Sequence, residues 1–166
     1  MTVQRLIFIA MTLALSACGF HLRNSYTIPP QLHQLNLTLS PTSNLSPPLR
    51  EALQTAGIQL DQGDYTLTVT QDKLNKQTTN TDSRAKVAEY TLLYDVRYRI
   101  AKNGEPAAQA PEHKLSLRRS YQYDTTTIVG KSEEEETLIR ELYADAAQQI
   151  LRQISFFKPA PAATAQ

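Results

Sequence analysis

The chain has 166 residues, with 17 Lys and Arg against 16 Asp and Glu and a single cysteine. That length holds one domain with a modest core. The balanced charge argues against nucleic acid as the main partner, and a lone cysteine excludes an internal disulfide.

Chain order begins with Arg5 and an apolar run from Leu6 to Leu15 (LIFIAMTLAL). The run is too short to cross a bilayer as a stable helix and has the length of a secretory signal core. Leu15-Ser16-Ala17-Cys18 follows, and this order resembles the lipobox of bacterial lipoproteins. The resemblance implies diacylglycerol on the Cys18 sulfur, cleavage before Cys18 and a third acyl chain on the new amino group. Several acyl chains anchor stably where one anchors marginally. Residues 1–17 are then a signal peptide. Gly19 stands where an aspartate commonly signals retention at the inner membrane, so the expected place is the periplasmic side of the outer membrane. Without Arg5 the mature chain carries 17 − 1 = 16 basic and 16 acidic residues. No second long apolar segment follows. Residues 18–157 read as one domain and residues 158–166, KPAPAATAQ, as a disordered Pro/Ala tail.

Leu35, Leu37 and Leu39 alternate with Asn36 and Thr38, which predicts a first strand. Ser40 to Pro48 is a loop by composition. Pro47 and Pro48 open a helix through about Ala56, and Gly57 stops it. Tyr65, Leu67 and Val69 alternate with threonines in a second strand. In the third, Tyr90 to Ile100, the even positions are apolar, whereas Asp95, Arg97 and Arg99 share the other face. Asn103-Gly104 marks a turn. Lys114 to Tyr123 is a fourth strand whose apolar face Arg119 interrupts. A last helix runs from about Glu133 to Phe156. Ser132 and Glu135 form its predicted capping box, and Leu138, Leu142, Ala146, Ile150 and Ile154 lie on its apolar stripe. The order β-α-β-β-β-α predicts an α+β fold: a two-layer sandwich with a four-stranded mixed sheet and two helices on one face. The first two strands run parallel through the helix crossover, and the last three form an antiparallel meander.

Enzyme chemistry finds little support. His21, His33 and His113 are not spaced with other ligands as a metal site requires. Neither a nucleophile elbow nor a phosphate loop appears, and no cofactor is expected. Glu133 to Glu136 suits the positive end of a helix dipole. The basic residues form the candidate site. Arg97, Arg99 and Arg118 lie on polar strand faces, and Arg84, Lys86 and Lys131 flank the elements in predicted loops. Arginine and lysine together can receive phosphate oxygens through charge-assisted hydrogen bonds.

Two further segments resemble the LptE family of lipopolysaccharide-assembly lipoproteins, formerly rare lipoprotein B. One is Cys18-Gly19-Phe20-His21-Leu22-Arg23. The other is Ala88-Glu89-Tyr90 opening a long strand, followed by Glu141-Leu142-Tyr143 with Ala146-Ala147 in the final helix. The resemblance covers nearly the whole mature chain and is weaker from Ser40 to Thr79. It implies a two-layer α/β sandwich that plugs the lumen of the large β-barrel LptD, helps it assemble and contacts lipopolysaccharide on its way to the cell surface. Basic residues near the Ala-Glu-Tyr strand and before the last helix are implicated in that contact. Lys131 falls in the second place, and Arg84 matches the first after a one-residue shift. The competing function is a lipoprotein that acts alone, as a lipid carrier or as a pilot for another outer-membrane machine.

Overall fold

The computed structural model describes residues 27–81, 87–122 and 128–158. The segment expected to be a signal peptide, Cys18, Arg84, Lys86 and the expected tail beyond Lys158 lie outside the described residues. The elements in chain order are β1 (Gln34–Thr38), α1 (Ser46–Thr55), β2 (Gln59–Leu60), β3 (Tyr65–Thr81), β4 (Val87–Lys102), β5 (Glu112–Gln122) and α2 (Ile128–Ser155). They build one sheet in the order β2-β1-β3-β4-β5. β1 runs parallel to both β2 and β3, whereas β3, β4 and β5 form the antiparallel meander. The α+β class and mixed sheet are as expected, but the sheet has five strands rather than four. The extra one, β2, is two residues on the edge of the sheet, too short to show any alternation.

Local chemistry sets the helix ends. Pro47 and Pro48 occupy the first turn of α1, where a missing N–H costs nothing. At its other end Gly57 adopts φ +85°, a conformation that side chains disfavour. The Gly57 N–H then reaches the Gln54 carbonyl at 2.9 Å and the Ile58 N–H reaches Leu53 at 3.0 Å, the paired bonds of a Schellman ending.

β3 continues well past Val69, because a bulge at Thr70 changes its phase. The register jumps from Val69↔Tyr98 to Gln71↔Arg97. Val69 and Leu74 thereby face the same way although they stand five positions apart in the sequence. Their face is the inner one, with Leu92, Tyr94, Val96 and Tyr98 of β4 and Leu115 and Tyr121 of β5. Leu49 and Leu53 of α1 and Leu142, Ile150 and Ile154 of α2 join them in a single core. Two tyrosine hydroxyls inside the core have partners. Tyr98 donates to the Gln153 side chain and Tyr94 donates to Asp72 at 2.5 Å. Burial pushes both hydroxyls above the ordinary tyrosine range, and for Tyr94 the Asp72 carboxylate adds to the effect. Arg119, which interrupts the apolar pattern of β5, pairs with Asp145 on α2.

α2 begins at Ile128, several residues before Glu133. This corrects two expectations. Lys131 stands in the first turn of a helix, not in a loop. Ser132 lies inside the helix and is not its N-cap, and the Glu135 carboxylate meets Lys76 and Tyr121 instead of closing a capping box. The acidic run alone did not reveal the turn before it, because Ile128, Val129 and Gly130 carry no start signal.

Leu142 and Ile150 are fully buried between α2 and the sheet. Leu142→Asp or Ile150→Asp places an unpaired carboxylate there, at a cost on the order of several kcal/mol. Thermal denaturation of either variant is expected to show a large fall in melting temperature. A midpoint within a degree or two of the parent contradicts the placement of the helix.

Candidate functional site

β3 ends at Thr81 and β4 begins at Val87, with Thr81 and Val87 paired. β5 ends at Gln122, whose neighbour is Glu89, and α2 starts at Ile128. The 82–86 connection and the start of α2 therefore leave from the same end of the sheet, termed the distal end. Arg84, Lys86 and Lys131 all belong to these segments.

Just inside that end lies a cluster that the sequence did not announce. Lys76 sits on the inner face of β3 because the bulge at Thr70 turned it there. Its ammonium donates to the Glu135 carboxylate of α2 at 2.6 Å and lies 4.2 Å from the centroid of the Tyr90 ring. Tyr121 of β5 donates its hydroxyl to the same carboxylate. Burial opposes the charge on Lys76, but hydrogen bonds to Glu135 and Tyr121 hold its pKa above the ordinary lysine value. Burial likewise opposes the charge on Glu135, and the bonds from Lys76 and Tyr121 hold its pKa below the usual carboxylate value. The Tyr121 hydroxyl is pushed up, first by burial and then by Glu135. The Lys76 and Glu135 side chains remain 39% and 25% exposed, and ion pairs of that kind contribute roughly 0–1 kcal/mol. The cluster's main effect is positional: it ties the N-terminal half of α2 to all three strands of the meander.

The other predicted site residues lie elsewhere. Arg97 and Arg99 are on the outer face of β4, both within ion-pair distance of Glu112, at 3.6 and 3.2 Å. Arg99 also donates to the Ala108 carbonyl at 2.5 Å, which fastens the β4–β5 connection. From Val87 to Arg99 a strand rises about 40 Å, so this pair is remote from the distal end. Arg118 is exposed on the outer face of β5, opposite Leu93. Two histidines have structural partners. His33 bonds the Ile28 carbonyl at 3.1 Å, and His113 stacks on Tyr98 with centroids 5.1 Å apart.

The outer sheet face bears Thr66, Thr68, Lys73, Asn75, Asp95, Arg97 and Arg118, and both helices pack on the opposite face. Thr91, the buried polar residue of this face among the described residues, has hydroxyl bonds to Thr79 at 2.5 Å and Ser120 at 2.8 Å. The molecule therefore presents a broad hydrogen-bonding surface backed by an apolar core, with basic residues leaving from one end.

Known proteins share this fold. Residues 32–154 match the family model described as LptE, lipopolysaccharide-assembly. The LPS-assembly lipoprotein LptE of Pectobacterium atrosepticum is 25% identical over 160 residues, 91% of this chain and 85% of the relative. The crystal structure of rare lipoprotein B from Shewanella oneidensis superposes with a TM-score of 0.65 at 31% identity, over 74% of this chain and 94% of that one. A minor lipoprotein from Acinetobacter baumannii gives 0.64 at 29% identity, over 79% of this chain and all of that one. With the family model spanning most of the sequence and the same fold in its relatives, the chain belongs to the LptE family of lipopolysaccharide-assembly lipoproteins.

Proposed function

We propose that this protein plugs an LptD-type β-barrel translocon, helps the barrel assemble and contacts lipopolysaccharide during export, held to the periplasmic side of the outer membrane by lipids on Cys18. Family membership already makes it a non-enzymatic component of lipopolysaccharide assembly. The observation that carries the finer reading is the two-sided sheet. A plug has to meet a polar barrel interior, and the outer face meets that need with hydroxyl, amide and paired charged groups. An apolar outer face would suit a lipid carrier better.

The lipopolysaccharide contact is assigned to Arg84 and Lys86, between the described ends of β3 and β4, and to Lys131, at the start of α2. Phosphate groups on the lipid suit them, since each adds a cation at a place where strands and helix stop. Arg118 can extend the contact along the outer face. Arg97 and Arg99 already share Glu112, so a phosphate there has a carboxylate to displace, and their part is secondary.

Two outcomes are expected. Cys18→Ala removes the chain's one thiol, so incorporation of labelled palmitate should vanish and the uncleaved precursor accumulate. Palmitate still attached to that variant defeats the anchor reading. Separately, Lys131→Asp combined with Arg84→Asp should weaken lipopolysaccharide binding to the purified soluble domain, and added salt should weaken the parent's binding in the same way. Capture of the barrel rests on a much larger surface and should survive the double substitution. A variant that binds lipopolysaccharide like the parent removes the site assignment. A parent domain that never captures a barrel in mild detergent removes the plug assignment and leaves the free carrier or pilot.

A further inference from the structure

The end of the sandwich opposite the basic residues has a chemistry of its own. Phe157, just past α2, packs edge-on against Tyr65 at the start of β3, with centroids 5.6 Å apart. Tyr65 is the register partner of Leu35 in β1, and His33, directly before β1, bonds the Ile28 carbonyl. The exit of α2 and the entry of the chain into the domain therefore share one end. There Phe156 is 77% exposed, the one large hydrophobic side chain so exposed among the described residues. Arg152, one helical turn earlier, and Lys158, two residues later, are exposed as well.

A single surface phenylalanine ordinarily calls for no explanation. This one is singled out by its position. From Cys18 to Thr27 an extended chain spans at most about 30 Å. If lipids on Cys18 hold the chain to a bilayer, as proposed above, this end of the domain never leaves the neighbourhood of the headgroups. An aromatic ring between two cations is the composition that settles at such an interface, the ring among the upper acyl chains and the cations among anionic headgroups. One ring is too weak to bind alone, but tethering makes its encounter with the surface intramolecular.

We propose that Phe156, flanked by Arg152 and Lys158, inserts into the interface of an anionic bilayer as a second membrane contact that orients the tethered domain. The inference rests on the lipid-anchor reading, and its test separates the two. The chain contains no tryptophan, so Phe156→Trp introduces a sole tryptophan, excited selectively beyond the tyrosine absorption, at an exposed position. Gln77→Trp serves as control, since Gln77 is exposed and lies about 40 Å along β3 from Tyr65. The full lipidated chain is reconstituted in vesicles of phosphatidylethanolamine and phosphatidylglycerol and floated on a density gradient. Phe156→Trp should show blue-shifted emission and loss of intensity with lipids brominated high on the acyl chain. Gln77→Trp should show neither, and adding Arg152→Glu and Lys158→Glu should reverse most of the shift. Failure of the parent to float overturns the anchor, and this inference with it. A chain that floats while the two reporters emit alike overturns the membrane contact alone. A shift that appears only when a purified barrel is added assigns Phe156 to a protein interface and likewise overturns it.

Discussion

The meander outruns the rest of the sheet, and one helix has to cover the excess. β1 pairs with β3 only as far as Thr38↔Thr68, whereas β3 continues to Thr81. Beyond that point the inner faces of β3, β4 and β5 have lost the neighbourhood of β1 and α1. α2 takes over, and its 28 residues reach about 42 Å at the helical rise. The two halves of this seam use different physics. Toward its C-terminus α2 buries Ala146, Ala147, Ile150 and Ile154, and apolar burial holds it there at roughly 25 cal/mol per Å². Toward its N-terminus it meets Lys76 and Tyr121 and answers with Glu135, and just past its midpoint Asp145 pairs with Arg119.

That second half is tolerable because the charges are paired and partly wet. A lysine or arginine left unpaired on the inner face carries a desolvation cost that a weak surface pair never repays. Here exposure keeps the cost small, and the pairs set register between helix and sheet rather than supplying much stability. The N-terminal half of α2 is thus fixed on the meander by side chains that take no direct part in the proposed phosphate contact.

How much of this could be read from the residues depended on whether a periodic signal was left intact. β4 was legible from Tyr90 to Ile100, because its even positions are apolar and its odd ones mostly polar. Gly57 and the two prolines marked α1 for the same local reasons that the structure displays. The far half of β3 was not legible. Residues 71–81 are almost wholly polar, and the bulge at Thr70 reverses the phase, so Lys76 reads as a surface residue until the register is known. β2 was missed because two residues carry no period. The basic residues were found by type, but type says nothing of place. Topology separates Arg97 and Arg99, held by Glu112, from the end of the sheet where β3 stops, β4 begins and α2 starts.

This separation gives the domain an axis. At one end the chain enters, and Phe156 stands exposed between cations; at the other, the strand connection and the helix start carry the basic residues. β4 alone, Val87–Lys102, rises about 50 Å, more than the roughly 30 Å of a bilayer's hydrocarbon layer. A shorter domain anchored on the periplasmic side would keep its basic end inside the membrane's thickness. Within the proposed plug, the length of β3 and β4 sets how far from the anchor a phosphate can be met, and the bulge that lets β3 run on past β1 is what supplies that length.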